Sequence, residues 1–143
     1  AYRRHPDPSA GVYIRFVALD ALSAQSDIVS LHCPLTPQTR GMIDRAAIGR
    51  MKDGAVLLNT ARGGLLCERD VADALDCGKL YMAGLDVLCD EPPAPDSPLA
   101  RHPRVICTPH ISWMPRETRA RLLRAAADSL LCFLEGNPQN VIV

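Results

Sequence analysis

The sequence predicts an α/β fold, a doubly wound parallel sheet with helices on both faces. Three observations carry that expectation. Continuous apolar runs alternate along the chain with segments whose apolar residues recur at helical spacing. The runs lack the in-out alternation of a half-solvated sheet, as strands buried on both faces should. The polar side chains capable of chemistry fall just after the runs, at the carboxyl ends of the expected strands, where open sheets of this kind collect ligands.

Each element follows from its own residues. Asp27 to Cys33 reads as a short strand stopped by Pro34. From Asp44 to Lys52, Ala47, Ile48 and Met51 form a helical stripe, with Asp44 placed to cap it and Gly54 just beyond its end. Ala55 to Asn59 is an uninterrupted apolar run closed by an amide and reads as a buried parallel strand. Glu68 to Cys77 carries Val71, Ala74 and Leu75 on one helical face and stops at Gly78. Met82 to Val87 and Arg104 to Thr108 read as two further strands. Between them, prolines at 92, 93, 95 and 98 impose an irregular loop. After Pro115 a long helix runs to about Glu135, with Leu123, Ala126, Ala127, Leu130 and Leu134 on one side, and Gly136-Asn137-Pro138 ends it. The expected division is a nucleotide-type domain over 1–114 and a long helix with a tail over 115–143.

Composition excludes several function classes. With 143 residues, 48% of them apolar and 22% charged, the chain suits one globular domain with a sizeable core. Sixteen basic and sixteen acidic side chains cancel, so no electrostatic footprint for nucleic acid or an anionic membrane is present. No apolar run approaches bilayer length and no signal peptide opens the chain, which points to a cytoplasmic protein. The six cysteines, at 33, 67, 77, 89, 107 and 132, form no C-x-x-C pair and stand beside no paired histidines. They read as reduced thiols rather than as disulfides or metal ligands.

Four residues stand out as candidates for chemistry. Arg62 precedes Gly63-Gly64, where the backbone can approach a ligand closely and a guanidinium can offer its fork to a carboxylate. The alternative is a surface arginine in a βα turn. His110, in Thr108-Pro109-His110-Ile111-Ser112, is a natural acid and base for a hydroxyl proton, although a lone histidine is more often structural. Glu91 would raise its basicity if the two side chains met. Asp86 interrupts an apolar run, where a buried carboxylate needs a partner such as a ligand amide; a cap at the strand end is the other reading.

These residues sit in motifs that resemble the D-isomer-specific 2-hydroxyacid dehydrogenases. The resemblance runs through Asp27-Ile28-Val29-Ser30-Leu31-His32-Cys33-Pro34-Leu35-Thr36-Pro37-Gln38-Thr39-Arg40-Gly41-Met42-Ile43. It continues in Met51 to Gly64, Ala83 to Val87, Asp90-Glu91-Pro92 and Thr108 to Ser112. The motifs occur in order and cover roughly residues 25 to 143. The resemblance implies a Rossmann-type fold, present in part, and reversible reduction of a 2-oxo acid to its D-2-hydroxy acid with NAD or NADP. It implies that Arg62 binds the substrate carboxylate and carbonyl, that His110 exchanges the proton, and that Glu91 is its partner. Thr60, Ala61, Asp86, His110 and Ser112 would line the nicotinamide side, with Arg62 beside them. Leu31, Cys33, Pro34 and Thr39 would border the adenosine. His110-Ile111-Ser112-Trp113 looks like the glycerate dehydrogenase and hydroxypyruvate reductase branch, which favours hydroxypyruvate or glyoxylate as substrate. A homodimer is implied, and a metal is not.

The sequence also departs from that family. No G-x-G-x-x-G turn is present, so the expected pyrophosphate cradle and the first β-α unit are missing. Ala1 to Pro6 resembles the end of the second strand of the nucleotide domain. Arg3 and Arg4 then stand where the family binds the cofactor ribose, and arginines there accommodate the 2′-phosphate of NADP. Alternatively, they are two basic residues with no such role. By itself the chain is expected to bind cofactor poorly, to be inactive and to self-associate through bare apolar surface. Two other classes stay open: a corepressor-like protein that senses NAD(H), and a non-catalytic fragment.

Overall fold

The computed structural model describes residues 1–3 and 13–141. The expected Rossmann-type parallel sheet, present in part, is what these residues build. Its strands are β1 (Ile28–Leu31), β2 (Ala55–Asn59), β3 (Leu80–Leu85) and β4 (Val105–Cys107). They lie in the order β1-β2-β3-β4 and every neighbouring pair is parallel. Four helices accompany them: α1 (Leu19–Gln25), α2 (Arg45–Arg50), α3 (Glu68–Asp76) and α4 (Arg116–Leu134). The chain divides into two compact units, Ala1–Pro109 and His110–Val143. Among the described residues no helix is long and apolar enough to cross a membrane.

In the first unit the core lies between the sheet and its helices. Val29, Leu31, Leu57, Ala83 and Leu85 point into it from the strands, and Val71 and Leu75 meet them from α3. The opposite sheet face is less covered than continuous apolar runs imply. Val56, Leu58 and Met82 are only half-buried there. The crossover from β1 to β2 runs through α2. That from β2 to β3 runs through a short 3-10 turn (Gly63–Leu65) and α3.

Local chemistry accounts for the helix limits. The Asp44 carboxylate accepts from the Ala47 N–H at 2.7 Å and so caps α2, as the sequence predicts. The Asp70 carboxylate takes a second free donor of that turn, the Arg45 N–H, at 2.9 Å. Gly136 at φ 75° ends α4, with the Asn137 N–H reaching the Cys132 carbonyl at 2.9 Å.

Three expectations shift. β3 runs two residues earlier than its apolar pattern suggests: it opens at Leu80, paired with Ala55, and ends at Leu85, paired with Asn59, the last residue of β2. Asp86 therefore follows the strand rather than lying inside it. Helix α1, seven residues with no side-chain cap, and the 3-10 turn add two elements that periodicity alone does not reveal. The apolar side of α4 contributes no buried residue. All six cysteines are free, as expected.

Candidate functional site

The loops at the carboxyl ends of β1, β2 and β3 are stitched into one polar rim. After β1 the chain turns through Cys33 and Pro34. There the Thr39 hydroxyl donates to the Pro34 carbonyl at 2.7 Å and accepts from the Thr36 N–H at 2.8 Å. The returning segment joins the loop after β2. The Gly41 N–H bonds the Gly64 carbonyl at 2.8 Å, the Ile43 N–H bonds Leu65 at 3.0 Å, and the Cys67 N–H bonds Ile43 at 3.0 Å. Leu31 is buried at the end of β1, and Cys33 is half-buried with its thiol 3.7 Å from the Met42 sulfur. Leu31, Cys33, Pro34 and Thr39 thus occupy one loop, tied to the next.

The loop after β2 carries Thr60, Ala61 and Arg62. Asn59, fully buried, holds it. Its Oδ1 accepts from the Ala61 N–H at 3.1 Å and its Nδ2 donates to the Arg62 carbonyl at 2.9 Å. The Arg62 side chain is exposed, its Nη1 donates to the Ala61 carbonyl at 2.6 Å, and among the described residues no acid forms a salt bridge with it. Gly63 is buried beside it, against the backbone of Leu88 and Cys89.

Asp86 follows β3 and is nearly buried (5% exposed). Its N–H donates to the Asn59 carbonyl at 2.9 Å, and its Oδ1 accepts from the Thr108 hydroxyl at 2.5 Å. A polar group this buried needs hydrogen-bond partners, and Thr108 supplies one. Glu91 is exposed on the proline-rich loop, where the Glu91-Pro92 bond is cis and its Oε1 accepts from the Leu88 N–H at 3.3 Å.

Two thiols border this rim. Cys89 is pushed up to about 11, first by burial and then by the charge and hydrogen bonding of Glu68. Burial, and after it the charge of Asp86, raises Cys107. Both thiols are therefore protonated and poor nucleophiles at neutral pH.

In the second unit, His110 is exposed and adopts φ 55°, a left-handed conformation uncommon for a side chain other than glycine. The Trp113 indole N–H donates to the His110 carbonyl at 2.9 Å, and the Met114 N–H closes a turn onto Ile111 at 2.9 Å. Ser112 lies exposed within that turn. At the other end of the chain, Arg3 is exposed, and Ala1 runs beside residues 15–17, its carbonyl accepting from the Val17 N–H at 2.9 Å. Arg4 lies outside the described residues.

The first unit thus brings Leu31 to Thr39, Thr60 to Arg62 and Asp86 to one sheet edge. Reasoning from sequence did not single out Asn59 or Thr108 as parts of this arrangement, nor Trp113 as the donor to the His110 carbonyl in the second unit. A signal existed for Asn59, an amide closing an apolar run three residues before an arginine. Trp113 and Thr108 had none beyond their motifs.

The nicotinamide cofactor group fits this edge in part. A nearly buried carboxylate and the exposed residues Thr60 and Arg62 suit an amide-bearing ring, while no glycine-rich phosphate turn occurs in the sequence.

Comparison with known proteins bears on the family and the fold. Residues 1–112 match the family described as D-isomer specific 2-hydroxyacid dehydrogenase, NAD binding domain. A hydroxypyruvate reductase of Blautia hydrogenotrophica is 49% identical over 128 residues, which are 90% of this chain and 40% of that protein. A glycerate dehydrogenase of Methylorubrum extorquens is 41% identical over 88% of the chain and 41% of its own length. Among solved structures, a D-lactate dehydrogenase of Treponema pallidum superposes with a TM-score of 0.87 at 30% identity, covering 99% of this chain and 47% of that one. An NAD-complexed D-isomer specific 2-hydroxyacid dehydrogenase of Lactobacillus delbrueckii gives 0.86 at 29% identity, again over 99% of this chain and 47% of its own. The chain spans about two fifths of the length of these curated relatives.

Proposed function

The chain belongs to the D-isomer-specific 2-hydroxyacid dehydrogenase family, and on that premise we propose that the protein carrying it reversibly reduces a short 2-oxo acid to its D-2-hydroxy acid. Hydroxypyruvate or glyoxylate is the favoured substrate, and the hydroxypyruvate choice is in line with the name of the relative at 49% identity. The single observation that carries the reading is Arg62, an exposed guanidinium without an acidic partner among the described residues, on a loop fixed at the carboxyl edge of the sheet.

In this reading Arg62 grips the substrate carboxylate bidentately and draws charge from the carbonyl oxygen. His110 gives that oxygen its proton, and takes it back in the oxidative direction. Reduced nicotinamide, when bound, supplies a hydride to the carbonyl carbon. Asp86 would accept from the carboxamide, Thr60 and Ala61 would line the ring, with Ser112 joining them by the family resemblance, and Leu31, Cys33, Pro34 and Thr39 would border the adenosine. Glu91 belongs to the first unit and opens the proline-rich loop, whereas His110 opens the second. Their pairing is carried by the family resemblance, as is the division into a cofactor domain over 1–114 and a return helix over 115–143. NADP preference is carried by Arg3 and Arg4, and a cytoplasmic homodimer completes the reading.

The test is steady-state kinetics on the native protein with hydroxypyruvate and glyoxylate, each with NADH and NADPH. Turnover of either acid supports the reading, and a higher kcat/KM with NADPH supports the arginine assignment. His110→Gln is expected to lower kcat about 10²- to 10⁴-fold. Glu91→Gln should move the alkaline limb of the kcat/KM profile for reduction to lower pH, since it removes the charge that favours the proton-donating imidazolium. Absence of turnover with any short 2-oxo acid overturns the reading.

A further inference from the structure

Asn59 is the one fully buried polar side chain among the described residues, and it ends an otherwise apolar strand. A buried carboxamide is costly unless its polar atoms are bonded. Both ends of this one are, and both partners are backbone groups of the arginine loop, the Ala61 N–H at 3.1 Å and the Arg62 carbonyl at 2.9 Å. Its own main-chain carbonyl accepts from the Asp86 N–H at 2.9 Å, and Asp86 is held in turn by Thr108 at 2.5 Å. One residue therefore fixes the backbone under Arg62 with its side chain and the backbone of Asp86 with its main chain.

We propose that Asn59 is a positioning residue for substrate recognition, setting the pose from which Arg62 meets the carboxylate of the 2-oxo acid. The inference rests on the substrate reading given for Arg62 above. The chemistry demands an amide. The clamp needs one acceptor and one donor a single methylene from the backbone. An ionised aspartate supplies no donor and sets its charge against the Arg62 carbonyl, and glutamine is one carbon too long. Arg62 itself has a long flexible side chain, so its aim depends on the two dihedrals of its own backbone, φ −151° and ψ 135°, which the clamp pins. A displacement of about 1 Å at such a group costs on the order of 10²-fold in rate.

The experiment is a double-mutant cycle on the native enzyme with hydroxypyruvate and reduced nicotinamide, using Asn59→Ala, Arg62→Ala and the pair. Asn59→Ala is expected to raise KM for hydroxypyruvate about 30-fold, while KM for the cofactor changes less than about 3-fold. In the Arg62→Ala background the same change should add less than about 3-fold, because the residue it serves is gone. Should Asn59→Ala fail to fold, Asn59→Asp carries the test. Its loss relative to wild type should shrink as pH falls, because a protonated carboxyl regains the donor. An unchanged KM, or losses that multiply fully in the double variant, overturns the positioning role while leaving the substrate reading in place. Wild-type kcat/KM in Arg62→Ala alone removes the substrate reading itself, and the inference with it.

Discussion

A Cβ placed on Gly63 would lie 2.0 Å from both the carbonyl carbon and the carbonyl oxygen of Leu88. Neither atom can move without shifting the backbone that leads to Glu91, so Gly63→Ala should destabilise the protein by roughly 3 kcal/mol. At Gly64 the nearest atom is the tip of the Leu35 side chain at 3.0 Å, which can rotate aside, and Gly64→Ala should cost under about 1 kcal/mol. Urea denaturation of the two variants checks this, and equal losses would mean that the approach of residues 63 and 88 is not what selects glycine. At this scale the sequence made Arg62 visible, because the glycine pair beside it declares a close backbone approach. It made Asp86 visible as a charge in an apolar run. It hid the role of Asn59, since an amide at a strand end looks the same whether it caps the strand or aims the next loop.

At the scale of elements, legibility tracked how many independent signals each segment carried. Strand β2 is read to the residue because an unbroken apolar run meets a turn at each end. Helix α2 is read to within a residue or two because Asp44 supplies both a composition cue and a real hydrogen bond to Ala47. Helix α1 had neither periodic length nor a capping side chain, and β3 was misplaced because its limits follow its pairing with β2, Ala55 with Leu80 and Asn59 with Leu85, rather than its own apolar run. Asp44→Ala should therefore cost about 1 kcal/mol, the usual worth of such a cap. Asp44→Ser should restore most of it, which separates capping from charge. Both are measured by the urea midpoint. Loss of stability in both variants alike would assign the effect to the carboxylate's charge at the helix start instead.

The whole molecule has a stability window whose two edges rest on different groups. On the acid side, Lys79 holds the Asp53 carboxyl below its ordinary value by hydrogen bond and charge, and the Arg45 N–H does the same for Asp70. A carboxylate depressed in the fold takes up its proton more readily when unfolded. Its contribution is therefore present above the ordinary carboxyl range and fades as pH falls through it. On the alkaline side the order reverses. Cys89 holds its proton to about 11 in the fold against an ordinary 9.0, so unfolded chains release it first. The contribution of this thiol is present below pH 9 and fades as pH rises toward 11, with Cys107 adding in the same direction. Lysines titrate in that range too, so the informative quantity is the difference between wild type and Cys89→Ser, followed by urea denaturation at pH 7, 9 and 10.5. The stability gap between them should move in favour of Cys89→Ser as pH rises, because serine has no proton to lose there. At the other edge the gap between wild type and Asp70→Asn should narrow as pH falls from 6 to 3. A gap that holds constant across the alkaline points would mean that the Cys89 thiol is as solvated in the folded chain as in the unfolded one.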